Sequence, residues 1–502
     1  MKRKLLALLS AVVLCVGTIF LAVGCGKEKD YDLVIAQLSA GRGETYVTKL
    51  VEGFEKTPYV QSYLKEKKKD KLEVKLIQGK AATIGESVRN SINSGVTPDV
   101  LFLNFNMSGV EVTESFVRAK QLVDLTSLLE EKVYNEETTL GDKLVPGLLE
   151  NYTTKPYGDG KVYSLPAYYS PTGLWYDASR FFDDGKGDEY TWQGSGENAG
   201  KYELPHTWSE FWALGDELNK LNNNNANTSA TNPSLFTYPT AGYFDGFIYS
   251  AVAGMAGEED FLKMLGYADG IWSDNGVQDA LEIVVKLRNY INQSTVTNAT
   301  KEGYLLNQKA VIGEINADKQ QTAKGTALFM PNGDWLPGEM ANDTPEGFEW
   351  GFMPLPAKDN SSMSYVNTFL ENVYLHKDGK HLDMGKQFLL YYFSNEGASI
   401  VAKDNKAIIP TKDALTNAKA NGVPDSTIEL YKVYDGNGAV SGSFAATEQV
   451  TGLVWNDVLY NDLNEKVFNK TVTGSKKDAE LLAEWTTRLE EASDKMRAAI
   501  IK

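Results

Sequence analysis

The residues best suited to chemistry stand together in "KGTALFMPNGDWLPG", Lys324 to Gly338. An apolar run, Ala327 to Met330, stops at Pro-Asn-Gly-Asp, and Trp335 follows at once. Pro331 sets a turn and Gly333 lets the backbone be approached closely. Asn332 and Asp334 supply planar acceptors, with amide donors on the first. A sugar presents an apolar C–H face that stacks on an aromatic plane, and its hydroxyl rim needs bidentate partners such as carboxylates and amides. A single tryptophan more often fills a core, so it is the polar neighbours that suggest a platform.

The same mixture recurs elsewhere. Asn104 and Asn106 in "LNFNMSG" follow a predicted buried strand, on the side where ligands of parallel sheets bind. "LPAYYSP" supplies Tyr168 and Tyr169, "YPTAGYFDGF" supplies Tyr243 and Asp245, and "GRGE" puts Arg42 and Glu44 on the first strand-to-helix turn. Taken singly, each is equally well explained by rim packing or plain solvation.

Two acids such as Asp245 and Asp334 could instead be posed as a glycosidase pair. That chemistry needs carboxyl groups ~5 Å or ~6.5–9.5 Å apart, a spacing sequence does not fix. A phosphate ligand would want arginine, lysine or a glycine-rich helix start, and Glu44 spoils the one segment that comes near. His206, His376 and His381 show no ligand spacing, and the two cysteines are Cys15 and Cys25, so neither a thiolate zinc site nor any other metal or cofactor is expected.

The elements that must position these residues read as alternating strands and helices. "DLVIAQLSAGRGETYVTKLVEGFEK" from Asp32 predicts a strand, a glycine-rich turn and a helix with Val47, Leu50, Val51 and Phe54 on one face. "KLEVKLIQG" is a second strand, a helix runs through Ile84 and Val88, and "TPDVLFLN" is a buried strand; "KEKKKDK", Lys65 to Lys71, is a solvated run. This rhythm means a parallel sheet flanked by helices. Gly158 to Asp177 looks like a hairpin running into a second lobe, and Asp183 to Glu203 like a surface insertion. Thr207 and Glu210 form a capping box at the start of a helix.

The first residues bound the compartment. Lys2, Arg3 and Lys4 precede an uncharged apolar segment, Leu5 to Phe20, and "LAVGC" leads into Cys25. This is an export signal, 1–24, whose end resembles a bacterial lipobox; Cys25 would carry the lipid and 25–31 would be a tether. The mature chain would then hold no disulfide, and its length is enough to do without one. The net charge, −17, becomes −20 without the three basic leader residues, which argues against nucleic acid and anionic lipid as partners. A chain of 502 residues predicts at least two domains.

The segment from Gly325 to Trp335 resembles the signature G-x-x-A-M-x-x-x-G-x-W of extracellular solute-binding proteins of the family-1, carbohydrate-type class, the receptors of ATP-binding-cassette importers. Gly325, Ala327, Gly333 and Trp335 map onto it, with Leu328 where methionine is usual and some slack in spacing. "PDVLFLN", "YSLPAYYSPTGLWYD", "PHTWSEF" and "GKQFLLYYFSNEGASIVAKDNKAIIP" resemble other family segments, in the same order. The resemblance implies an α/β, two-lobed periplasmic-binding-protein-like fold of the class II type, with a cleft between lobes joined by crossing hinge strands. It places the first lobe at 32–168 and 355–400 and the second at 169–354 and 401–502. It implies that Trp335 stacks on sugar and that Asn104, Asn106, Tyr168, Tyr169, Tyr243 and Asp245 line the cleft. The expected protein is a monomeric binding protein without catalysis, lipid-anchored on a Gram-positive surface, passing a carbohydrate to a membrane permease. A non-sugar ligand in the same fold and a surface glycoside hydrolase are the alternatives.

Overall fold

The computed structural model describes residues 30–39, 45–103, 111–145, 159–168, 170–183, 190–222, 232–238, 244–302, 305–369, 371–405, 407–423, 425–434, 436–442 and 457–499. Its strands, in chain order, are β1 (Leu33–Leu38), β2 (Val74–Gly79), β3 (Val100–Phe102), β4 (Leu165–Pro166), β5 (Ser170–Asp177), β6 (Phe181–Phe182), β7 (Tyr202–Glu203), β8 (Ser234–Phe236), β9 (Glu314–Ile315), β10 (Gln321–Ala323), β11 (Ala327–Gly333), β12 (Trp350–Met353), β13 (Tyr365–Phe369), β14 (Asn372–Leu375) and β15 (Gly438–Val440).

The predicted βαβ rhythm forms the first sheet, in the order β2-β1-β3-β14-β4. β1 runs parallel to both β2 and β3, while β14 is antiparallel to β3 and to β4. Alternation along β1 sends Leu33 and Ile35 into one core and Val34, Ala36 and Leu38 into another, so both faces of the sheet are covered. The helix Thr45–Phe54 buries Val47, Leu50 and Phe54 as its pattern required, and the helix Leu382–Tyr392 packs Phe388 against Phe54.

The second sheet has the order β15-β13-β5-β11-β8, with β12 also paired to β5. β11 runs parallel to β8 and antiparallel to β5. Its larger core takes in the helices Trp208–Leu221, Asp245–Ala256 and Asn275–Lys286 and the closing helix Asp478–Ala499, which places Trp485 and Leu489 there. The capping box at Thr207 forms as read: its hydroxyl accepts from the Glu210 amide, and the Glu210 carboxylate accepts from the Thr207 amide.

Three expectations change. The expected hairpin does not form: β4 pairs with β14 in the first sheet and β5 with β11, β12 and β13 in the second, so the chain changes sheets between Pro166 and Ser170. Two strands divided by a proline-bounded corner look the same in sequence whether they fold back on each other or diverge. The lobe edge expected at 355 moves, because β13 belongs to the second sheet and β14 to the first; the chain returns between Phe369 and Asn372. Likewise Ala407 and Ile409 pack in a first-sheet core and Thr411 bridges Leu144, whereas β15 joins β13, so the last crossing lies after 411 rather than at 400. Long-range pairing decides such edges, and local pattern does not carry it. Of the surface insertion, the described part is anchored: β7 pairs with β6, Tyr202 is buried, and Tyr190 and Trp192 pack on the second core.

Candidate ligand cleft

The strand directions decide where a ligand can meet both lobes. In the first sheet, Val373 at the start of β14 lies opposite Phe102 at the end of β3, and Asn372 opposite Pro166 at the end of β4. In the second, Gly333 at the end of β11 faces Thr172 near the start of β5, Phe369 faces Ser170, and Val440 faces Asn367. Both crossings, from Pro166 to Ser170 and from Phe369 to Asn372, therefore leave and enter by the carboxyl edge of β1, β3, β8 and β11. Ligands of open α/β sheets bind at that edge, and here two such edges are joined across the hinge.

On the second lobe, β11 delivers the Asn332–Trp335 turn to the edge. The Asp334 amide donates to the Pro171 carbonyl at 3.2 Å, and the fully buried Leu336 pins the short helix Leu336–Glu339 that follows. Trp335 is half-buried. Its ring lies over Gly333, where a Cβ would stand 2.2 Å from the ring carbon Cζ3, and it meets Phe369 edge-on at 5.7 Å. Only glycine lets the indole come this close. Asp334 accepts the Tyr431 hydroxyl at 2.8 Å, and Thr368 donates to the Tyr434 hydroxyl at 3.1 Å; Tyr431 is itself buried, so it anchors the turn from a core. Asn332 is 1 % exposed; its Oδ1 accepts from the Gly333 amide, and its Nδ2 has no protein partner.

A second group stands beside the turn. Asn367 donates from Nδ2 to the Thr172 hydroxyl at 3.0 Å and accepts from the Gly442 amide. The helix Asp245–Ala256 starts directly against this pair: a Cβ on Gly246 would lie 2.3 Å from Thr172 Oγ1. Asp245 heads that helix, and its Oδ1 accepts from the Gly246 amide at 2.7 Å. Burial pushes its carboxyl up to about 6, against the opposing pull of that amide.

The fold brings Asn332, Asp334, Trp335 and Asp245 to one edge of the second sheet. Tyr168 goes elsewhere. It is 2 % exposed, its hydroxyl is bonded to that of Tyr46, and its ring packs in the first core, so it supports the crossing from behind. An aromatic pair at a corner does not reveal which ring turns inward. Arg42, Glu44, Asn104, Asn106, Tyr169, Tyr243 and Cys25 lie outside the described residues. Ser39 and Leu103, which precede the first two pairs, stand on the carboxyl edge of the first sheet. Sequence reading missed Thr172, Asn367, Phe369 and Tyr431. Asn367 carried a usable signal, an amide in the middle of the otherwise strand-like "YVNTF".

A family model described as bacterial extracellular solute-binding protein matches residues 59–427, a span that contains most of both sheets. The chain belongs to that family. Solved structures similar to this solute-binding protein include a chitin oligosaccharide binding protein, 16% identical over 92% of this chain and 98% of that one, with a TM-score of 0.59. A second is an ABC substrate-binding protein from Listeria monocytogenes in complex with cycloalternan, 16% identical over 92% and 98%, with a TM-score of 0.56. A third is a maltose-bound protein from T. maritima, 16% identical over 91% and 99%, with a TM-score of 0.57. At such identity the likeness speaks for the two-lobed fold of the solute-binding protein. The curated proteins contain no significant match to its sequence.

Proposed function

We propose that this solute-binding protein captures a sugar or oligosaccharide between its lobes and delivers it to the permease of an ABC importer, held at the outer face of the membrane by lipid on Cys25. The observation that carries the reading is the half-buried Trp335 ring, packed on Gly333, with Asp334 preceding it in the turn and Phe369 edge-on to it, at the edge by which both crossings leave. This is an apolar plane with hydroxyl-binding groups at its border. Carbohydrates in the names of the similar structures support the same class of ligand. Asn332 Nδ2, buried without a protein partner, is a donor that a ligand hydroxyl would satisfy.

The mechanism is hinge closure without chemistry on the ligand. Contacts from both lobes favour the closed state by the difference in affinity between the two states. By their place in the sequence, the proposed contributors are Arg42, Glu44, Asn104, Asn106, Tyr169 and Tyr243, together with Asp245. A thermal-shift screen of mono- and oligosaccharides, with wild type beside Trp335→Ala, tests the reading. One sugar class should raise the wild-type Tm in proportion to the logarithm of its concentration over Kd, with the shift lost in the variant. No shift with any sugar, or an equal shift in both proteins, overturns it. Recovering the bound sugar unaltered separates binding from hydrolysis.

A further inference from the structure

Among the described residues the chain changes sheets three times, and the third crossing is built differently from the other two. The first two are short and lie side by side: Ser170 pairs with Phe369, Pro166 with Asn372, and the Ala167 amide donates to the Glu371 carbonyl at 2.6 Å. The Tyr392 hydroxyl holds the Ala167 carbonyl at 2.8 Å, which fixes that end to the first lobe. Two short links paired in this way keep the lobes together and leave them free to rotate about the line they share. The third crossing, from Thr411 to Gly438, is long enough to be slack, yet it is folded. Its helices, Ala414–Ala420 and Asp425–Tyr431, close a small core in which Ala418, Val423 and Tyr431 meet Ala402 and Ile408. The neighbours of those last two, Val401, Ala407 and Ile409, belong to the core of the first lobe. Asn417 accepts the Ser399 hydroxyl at 2.9 Å and donates to the Asn395 carbonyl at 3.2 Å, and the Lys412 amide donates to the Lys143 carbonyl. The other end is fastened to the second lobe. Leu430 packs on the core that holds Trp175 and Leu336, Tyr434 accepts from Thr368, and the Tyr431 hydroxyl donates to Asp334 in the Trp335 turn.

We propose that the third crossing is a strut that restrains rotation of the lobes, and that Tyr431 is the positioning residue through which it holds the Trp335 turn. A connector that merely spanned the gap would need neither a core of its own nor fastenings at both ends. Here a packed core stands between the two fastenings, and packed side chains transmit strain. Turning one lobe against the other therefore has to shear the small core or pull Tyr431 from Asp334. Packed contacts of this kind hold discrete arrangements and do not deform continuously, so the ligand-free lobes are held near one angle. For the sugar site the consequence, which rests on that reading of the cleft, is that Asp334 and Trp335 are in place before a ligand arrives. Less ordering is then left for binding to meet.

The test needs no sugar, so it stands apart from the reading of the cleft. Every core residue among the described ones lies at or after Leu33, so the chain from Lys27 keeps the folded body and loses both cysteines. Lys65→Cys on the first lobe and Glu282→Cys on the second, both at exposed helix positions, carry spin labels, and the distance between them is measured in the ligand-free protein. Tyr431→Phe keeps the buried ring and removes the hydroxyl; Asn417→Ala releases the other end. Either should widen the distance distribution about twofold or more, with Tm lower by ~4 °C at most. Because the two fastenings act in series, the double variant should be no wider than the singles. An unchanged distribution in either variant, or a double variant whose broadening is the sum of the two, overturns the proposal. So does a fall in Tm without broadening, which is what a merely structural hydrogen bond would give. Failure of the sugar reading shows separately, in the thermal-shift screen.

Discussion

At the scale of single residues, the cleft edge depends on what is missing as much as on what is present. Gly333 has no Cβ, and so the indole of Trp335 lies where a methyl group would be. Gly333→Ala should lift the ring and, if the ligand is the proposed sugar, weaken its binding by about tenfold, or 1.4 kcal/mol, in calorimetric titration, with the circular dichroism spectrum unchanged. Asp245 gives a pH prediction. Its carboxyl sits at about 6, above the ordinary 3.8, so ionisation opposes folding: the contribution is fully present below pH 3.8 and is lost as the pH rises through 6. Asp245→Asn removes that loss. Denaturant titrations should show the variant level with wild type near pH 4 and more stable by up to about 2 kcal/mol at pH 7.5. A variant less stable than wild type at pH 7.5 would mean that the ionised carboxylate is engaged by a partner. The residues of the turn were legible because aromatic, amide and carboxylate were adjacent in sequence. Thr172, Asn367 and Tyr431 were not, since they become neighbours only through strand register and a contact spanning 97 positions.

Elements tell a similar story with different reasons. β1, β2, β3 and the helices between them could be read because each buries a face with its own period, and the capping box at Thr207 could be read because all its parts lie within four residues. Thr207→Ala leaves the Glu210 amide without its cap and should cost about 1 kcal/mol in denaturant unfolding with ligand binding unchanged. The crossings were placed less well. β4 is two residues long and β14 four, and such short strands are specified by their partners and not by their own alternation. Pro166 and Pro171 marked the first crossing, but no comparable punctuation marks the second, and the boundary there was misjudged.

For the whole molecule, the two-lobed family fold brings two carboxyl edges together at the hinge, and the proposed cleft lies there. If sugar is the ligand, small-angle scattering should register a smaller radius of gyration on adding it, and no change with Trp335→Ala. Compaction that persists in the variant would place the closing contacts elsewhere. The repeated crossings also bear on how the chain is made. Neither sheet is a continuous stretch: the first waits for β14 at 372–375 and the second for β15 at 438–440. At ~5–20 residues per second, synthesis reaches that last strand after ~20–90 s. A nascent chain emerging amino end first thus cannot complete either core until most of its length is available. If it is exported as a threaded polypeptide, the interleaving of the lobes acts as its own timer, holding back folding until the far side of the membrane has been reached.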